Sequence, residues 1–234
     1  MTGIILQLAI SWLIVWLYEK GNLSGLGLMP TQKRLLDFSL FFLVTATWAV
    51  SGFLLKMLIA KQGWVLNPAL NPGIILQGVW FTIKSVLFEE LIFRGVLLYI
   101  LIRKLGATMS IIISAVAFGV YHWFSHELWG NPEQMILEFL ITGVMGLVLA
   151  YGYAKTFSLY VPVAIHLGWN LVQMVLFSGG GIGNQVFIES LPAPVVTISY
   201  FSFYVMLFLP VLGCWIMNTW LLRRYKQVQM PMVS

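Results

Sequence analysis

Eight polar residues stand inside long apolar runs of this sequence, where polar and ionisable groups are rare. A charged side chain at membrane depth costs roughly 3 kcal/mol on insertion scales, so such residues usually face a protein interior or a water-filled cavity. They are Lys84, Glu89, Glu90, Arg94, His122, Glu138, His166 and Asn170. Several such residues in one chain indicate a functional site.

The first group contains two adjacent acids and a base. Glu90 and Arg94 are four residues apart with the acid first, which is the favourable order for an ion pair on a helix. Glu89 points about 100° away from Glu90 around the same helix. It is therefore free for another role.

Two further helices each present a polar face at the same four-residue interval. Phe118 and His122 form one pair, and His166 and Asn170 form the other. Counting ~1.5 Å per residue from the predicted cytoplasmic helix ends puts Glu89, His122 and Asn170 at depths of about 21, 24 and 18 Å. We therefore expect the three side chains to share one cavity.

Hydrolysis is the chemistry that such a cavity favours. A desolvated carboxylate beside an imidazole can hold a water molecule and take its proton. A second histidine and an asparagine amide can donate hydrogen bonds to the oxyanion that forms when water attacks a carbonyl group. The sequence shows no Ser-His-Asp or Cys-His set, so direct activation of water is favoured over a covalent mechanism.

The composition requires a membrane around these residues. Of the 234 residues, 60% are hydrophobic and 9% are charged, whereas soluble domains carry about a quarter charged residues. The net charge of +5 comes from basic residues in short loops. Their position indicates topology signals and contacts with lipid headgroups, and it predicts no nucleic-acid partner.

The chain has one cysteine, Cys214, which lies in an apolar run. A single cysteine excludes an intrachain disulfide and a cysteine metal cluster.

The predicted fold class is all-α, a polytopic transmembrane helix bundle of about seven spans, in a range of six to eight. We expect a single integral membrane domain over residues 1–234, with the motif-bearing core at 74–177. The predicted spans are about 3–18, 36–59, 74–102, 106–124, 135–154, 158–177 and 195–222.

Basic residues give the predicted orientation. Nine of them follow the first, third, fifth and seventh spans and so fall on one side of the membrane, which predicts an external N-terminus and a cytoplasmic C-terminus. These nine are Lys20, Lys33, Arg34, Arg103, Lys104, Lys155, Arg223, Arg224 and Lys226. Short loops favour a bacterial plasma membrane as the location.

Three motifs in order resemble a known family. Residues 89–94 fit EExxxR, residues 118–122 fit FxxxH and residues 166–170 fit HxxxN. On successive hydrophobic helices, they resemble the CPBP family of CAAX proteases and bacteriocin-processing enzymes, also called Abi proteins. The resemblance spans roughly residues 74 to 177 and implies an intramembrane glutamic endopeptidase acting on a membrane-associated peptide or protein.

The resemblance also implies a role for each motif residue. In such proteases the first glutamate and the second-motif histidine activate water, the third-motif pair stabilises the oxyanion, and the remaining acid and arginine support the site. In this chain the catalytic residues would be Glu89, His122, His166 and Asn170, with Glu90 and Arg94 in support.

A zinc-dependent version of the protease is the alternative. Glu89, His122 and His166 could ligate zinc with one position open, but no HExxH helix is present. The metal-free version, with no cofactor, is therefore the preferred interpretation.

Two functional classes without protease activity also stay open. One is a membrane scaffold or bacteriocin-immunity factor, and the other is a small transporter that uses the polar cluster as a proton relay. The sequence makes no prediction of oligomeric state.

Overall fold

Seven α-helices account for most of the residues that the structure describes. The computed structural model describes residues 2–178, 186–192, 194–226 and 228. A short 3₁₀-helix, Leu23–Leu26, follows the first helix, and a π-helical segment, Val172–Leu176, continues the sixth. The helices are α1 (Thr2–Glu19), α2 (Gln32–Ile59), α3 (Pro72–Phe93), α4 (Val96–Ser125), α5 (Pro132–Thr156), α6 (Tyr160–Leu171) and α7 (Tyr200–Arg223).

Two Asn-Pro pairs in the loops mark helix starts. The side chains of Asn71 and Asn131 cap α3 and α5 by accepting hydrogen bonds from the backbone N–H three residues later. Pro72 and Pro132 then occupy the first helical position, where the missing N–H costs nothing. The same dipeptide therefore ends one connection and starts a span at both places.

The prediction of an all-α membrane bundle is confirmed. Five helical stretches among the described residues are long and apolar enough to cross a bilayer. One of them, Pro72–Ser125, contains 54 residues and comprises both α3 and α4, while Tyr160–Leu176 is a shorter apolar helix. Many large apolar side chains point out of the bundle, which requires lipid around it. The chain is thus a multi-pass membrane protein.

One predicted span is divided differently by the structure. The sequence predicted one helix over 74–102 and a loop before 106, but α3 ends at Phe93 and α4 begins at Val96. A Cβ atom at Gly95 would lie 2.2 Å from the carbonyl oxygen of Leu91, so the sharp break there requires glycine. Gly106, with φ of 77°, kinks α4 where the loop was predicted. The depth of Glu89 was counted from Arg103 along one continuous helix, and the break after Phe93 shows that this premise was wrong.

Two contacts between helices show that the end of α1, the start of α2, the first half of α4 and the end of α7 lie at the same end of the bundle. Arg103 in the first half of α4 pairs with Glu19 at the end of α1. Tyr225, just after α7, donates a hydrogen bond to Asp37 in the first turns of α2 at 2.7 Å. We call this the basic end, because the predicted cytoplasmic Lys and Arg residues flank these positions. The opposite end, where α2 ends and α3 begins, is called the far end.

A small sheet lies at the far end and was not predicted. Strand β1 (Trp64–Leu66) pairs antiparallel with β3 (Phe187–Glu189), and β2 (Phe177–Ser178) pairs parallel with β3, in the order β1-β3-β2. The rings of Phe53 and Phe177 stack at 4.6 Å between α2 and this sheet. The sheet thus ties the segment after α6 to the end of α2.

Candidate active site

Two adjacent acids in the last turn of α3 point in different directions. Glu90 is fully buried, whereas Glu89 keeps 12% of its side chain accessible and lines a cavity. Successive residues on an α-helix diverge by about 100°. The helix therefore presents one acid to the protein interior and the other to the cavity, as the sequence indicated.

The buried acid belongs to a network, which we call the bracing network, formed by Glu90 and Arg94 at the end of α3 and by His166 on α6. Arg94 Nη1 donates to Glu90 Oε1 at 3.2 Å, and Nη2 donates to the carbonyl of Gly146 at 3.3 Å. The guanidinium also lies 4.1 Å from the ring centroid of Phe118. His166 Nδ1 lies 2.7 Å from the same Glu90 oxygen. Pairing of this kind is what makes buried charges tolerable.

The cavity-facing acid, Glu89, lies opposite two histidines. Glu89 Oε2 lies 4.0 Å from His122 Nε2 and 3.8 Å from His166 Nε2. Both separations are too long for a direct hydrogen bond, and Glu89 Oε2 is buried with no hydrogen-bond partner among the described residues. The other oxygen accepts a hydrogen bond from Ser85 Oγ at 3.4 Å. Ser85 thus restrains the carboxylate and leaves Oε2 directed at the histidines.

Hydrogen bonding also fixes which nitrogen of His122 carries the proton. Its Nδ1 lies 2.8 Å from the backbone carbonyl of Phe118. A carbonyl oxygen only accepts, so Nδ1 carries the hydrogen and Nε2 of the neutral ring is an acceptor. The Phe118 ring packs against the same imidazole with centroids 4.5 Å apart. The second motif therefore sets both the orientation and the tautomer of its histidine.

The predicted catalytic side chains share one cavity of about 650 Å³. Asn170, one turn after His166 on α6, lines it together with Glu89 and His122. Most of the remaining wall is apolar, which is typical of sites that bind apolar ligands. The larger apolar lining residues are Phe53, Phe81, Phe118, Met145, Trp169, Met174, Phe203 and Met206.

Not every polar side chain near Glu89 was recognised from the sequence. Ser85 was missed, although its position four residues before Glu89 on α3 is a usable signal. Of the eight polar residues in apolar runs, two lie apart from the catalytic cluster: Glu138 Oε1 pairs with His126 Nδ1 at 3.3 Å, and Lys84 Nζ lies 5.9 Å from the ring of Trp80.

No group of three or more His, Cys, Asp or Glu side chains in the described part of the chain is arranged to hold a metal ion. The Nε2 atoms of His122 and His166 both face Glu89 Oε2, and the contact of His166 Nδ1 with Glu90 leaves Nε2 of that ring directed at the cavity.

Residues 71–172 match the model of the type II CAAX prenyl endopeptidase Rce1-like family. The matched segment contains all three motifs and the whole of the cluster around Glu89. Neither a curated protein nor a solved structure matches the chain. The resemblance noted in the sequence is thereby confirmed: residues 71–172 of this membrane protein are similar to the Rce1-like family of type II CAAX prenyl endopeptidases.

Proposed function

We propose that this protein is an intramembrane endopeptidase that hydrolyses its substrate with directly activated water. Glu89 and His122 would activate the water, His166 and Asn170 would stabilise the oxyanion, and the bracing network would hold the site. The observation that carries this proposal is the position of Glu89 Oε2, which has no hydrogen-bond partner among the described residues and lies within 4.0 Å of the Nε2 atoms of both histidines.

The first step is attack by water. A water molecule between Glu89 and His122 donates one hydrogen to the carboxylate and the other to His122 Nε2, which is an acceptor in this tautomer. As the water oxygen bonds to the scissile carbonyl carbon, Glu89 takes one proton. The tetrahedral intermediate then collapses, the C–N bond breaks, and Glu89 returns that proton to the leaving amine. Atoms and charge balance without a covalent enzyme intermediate.

Two side chains of α6 would stabilise the negative charge that develops on the carbonyl oxygen. The amide of Asn170 is a neutral donor on the cavity wall. His166 donates from Nε2 only when both of its ring nitrogens carry protons, because Nδ1 is engaged by Glu90. An imidazolium at this place lies between the carboxylates of Glu89 and Glu90, which compensate its charge. Donors directed at a developing oxyanion in a low-dielectric site supply a large share of a hydrolase's rate enhancement.

We propose that the reaction needs no metal or other cofactor; the zinc alternative would use Glu89, His122 and His166. Wild-type activity should survive extended treatment with a zinc chelator, and the purified protein should contain far less than one zinc per chain by elemental analysis. Loss of activity on chelation with recovery on adding zinc would establish the alternative.

The cavity wall and the distribution of charge also support proposals about the substrate and the membrane location. A peptide or membrane protein, bound with an apolar segment in the cavity, suits the wall of aromatic and methionine side chains. We propose a bacterial plasma membrane with the basic end, and so the C-terminus, on the cytoplasmic side, following the one-sided distribution of Lys and Arg.

The test compares protein termini across the proteome of cells that express wild type, Glu89→Gln or Glu133→Gln at equal levels. Glu133 is an exposed acid in the first turn of α5 and does not line the cavity, so its substitution is the matched control. New termini should appear with wild type and Glu133→Gln and be missing with Glu89→Gln. Identical termini in all three strains, with the proteins inserted normally, would favour a non-catalytic scaffold.

A further inference from the structure

The side chain of Gln173 is a polar group of the cavity wall that the proposed mechanism does not use. It follows Asn170 by three residues, lines the cavity and is half-buried. Its carboxamide forms no hydrogen bond with any residue in the described part of the chain. By contrast, Glu138 on the same wall contacts His126, and Thr142 Oγ1 donates to the Glu138 backbone carbonyl. A carboxamide without a partner in a largely apolar cavity is suited to a ligand that brings polar atoms with it.

The backbone around Gln173 keeps this side chain on the wall. Val172 and Val175, on either side of it, are buried, and Val172 belongs to a core cluster with side chains of α2. The segment Val172–Leu176 is π-helical, and the next N–H, that of Phe177, donates to the Val172 carbonyl. Single π-helical turns are rare and occur frequently at functional sites. An anchored and unusual turn thus presents the carboxamide directly after the candidate oxyanion residue.

Gln173 lies beside the place where the scissile bond would be held. A separation of three helical residues corresponds to about 4.5 Å along the axis and to the same face, so Gln173 is nearly one turn beyond Asn170 towards the far end. An extended peptide advances about 3.3–3.6 Å per residue. A substrate that runs along α6 with its scissile carbonyl at Asn170 therefore brings a peptide group, one or two residues away, to Gln173.

Cleavage creates the need for such a partner. The carbonyl carbon of a helical peptide bond is enclosed by its own helix, so a membrane segment must unwind around the bond before water can attack it. Unwinding releases backbone N–H and C=O groups, and each of them is costly to leave without a partner in apolar surroundings. A carboxamide carries an N–H donor and a carbonyl acceptor side by side, which is the pair that a peptide group requires.

We propose that Gln173 binds the main chain of the substrate through hydrogen bonds to one peptide group, one or two residues from the scissile bond, and so holds the segment extended beside Glu89. The inference rests on the proposed peptidase function and adds a positioning residue that acts whatever side chains the substrate carries. The interaction is equally strong before and during the reaction, so it lowers KM and has little effect on kcat.

The test combines ester analogues of a substrate with substitution of Gln173. The probe is a synthetic peptide that spans the most abundant cleavage site among the cellular termini that require Glu89. Each analogue has one peptide bond near the scissile bond replaced by an ester, which lacks the N–H donor and has a weaker carbonyl acceptor. KM and kcat are measured in detergent for wild type, Gln173→Met and Gln77→Met. Gln77 is exposed on α3 and does not line the cavity, so it is the matched control.

We expect Gln173→Met to raise KM for the parent peptide by about five- to thirtyfold, the effect of one or two hydrogen bonds, and to change kcat by less than about threefold. With wild type and Gln77→Met, one ester analogue should have a KM at least about fivefold above that of the parent. With Gln173→Met, the same analogue and the parent should agree within about twofold, because the hydrogen bonds are already missing.

Three results would each overturn the proposal: an unchanged KM in Gln173→Met, an ester penalty that persists in that variant, or a wild-type KM that responds to no ester. The last result depends on the wild-type protein alone. Failure of the peptidase function would appear differently, as identical cellular termini with wild type and Glu89→Gln, and would overturn both proposals.

Discussion

Replacing Arg94 with methionine should destabilise the protein strongly, because it leaves a carboxylate buried without its cation. Arg94 and Glu90 are both fully buried and joined by a 3.2 Å ion pair. Removing one partner of a buried pair typically costs about 3–5 kcal/mol. Methionine keeps much of the side-chain volume that packs on Phe118, so the cost arises mainly from the unpaired charge. For a chain of this size each kcal/mol lowers Tm by about 2–4 °C, which predicts a decrease of roughly 10 °C.

The second variant separates charge from packing. In Glu90→Gln/Arg94→Met the buried site carries no carboxylate. Replacing both members of a buried pair is often close to neutral. The double variant should therefore recover at least half of the decrease in Tm that Arg94→Met causes. Glutamine keeps an oxygen that can face His166 Nδ1. Lys61→Met is the surface control, because Lys61 is exposed just after α2, and surface substitutions usually change stability by about 0.5 kcal/mol or less.

Thermal unfolding in detergent, followed by the fluorescence of the ten tryptophans, is the assay. A Tm for Arg94→Met within about 2 °C of wild type would mean that Glu90 is neutral or finds another cation. A double variant no more stable than Arg94→Met would show that the loss comes from packing against Phe118. Either result would refute the electrostatic reasoning about the bracing network.

Three further predictions concern other parts of the molecule. Asn170→Ala should leave Tm near the wild-type value and lower kcat by about 10²–10³, the usual cost of one oxyanion donor; an unchanged kcat would remove Asn170 from the oxyanion site. Gly213→Ala should reduce stability by about 1–3 kcal/mol through overpacking, since its Cβ would lie 2.2 Å from Trp48; an unchanged Tm would show that the ring moves freely. The hydrogen bond to Glu138 raises the pKa of His126, so the stabilisation by this pair should be complete below pH about 6.5 and disappear as the pH rises through the raised value. Glu138→Gln should flatten that dependence of Tm on pH, and an identical slope in both proteins would contradict it.

The sequence was most informative about the residues that membrane energetics penalise. Glu89, His122 and His166 stood out because an ionisable group in an apolar run needs a partner or a cavity, and four-residue intervals indicated which faces they occupy. The structure brings these side chains together around Glu89 Oε2. Their catalytic roles stay predictions, as does the single domain over residues 1–234.

The features that were missed depend on backbone geometry and on distant contacts. The break after α3 was invisible to hydropathy because the apolar run continues across it, and one glycine, Gly95, is a weak signal for a turn inside such a run. The far-end sheet joins three short segments that are distant in sequence, so no local pattern predicts their pairing.

The three methionines of the cavity wall bear on how sharply such a site would discriminate between apolar substrate sequences. Met145, Met174 and Met206 come from three different helical segments, and unbranched thioether side chains fill irregular shapes without strain. An apolar wall distinguishes one methylene more or less by only about 10- to 200-fold in rate. A protease with such a wall would process a range of apolar sequences at graded speeds. Control over what is cut in the cell would then lie in which proteins present an accessible segment to the membrane, and in how long they stay beside the enzyme.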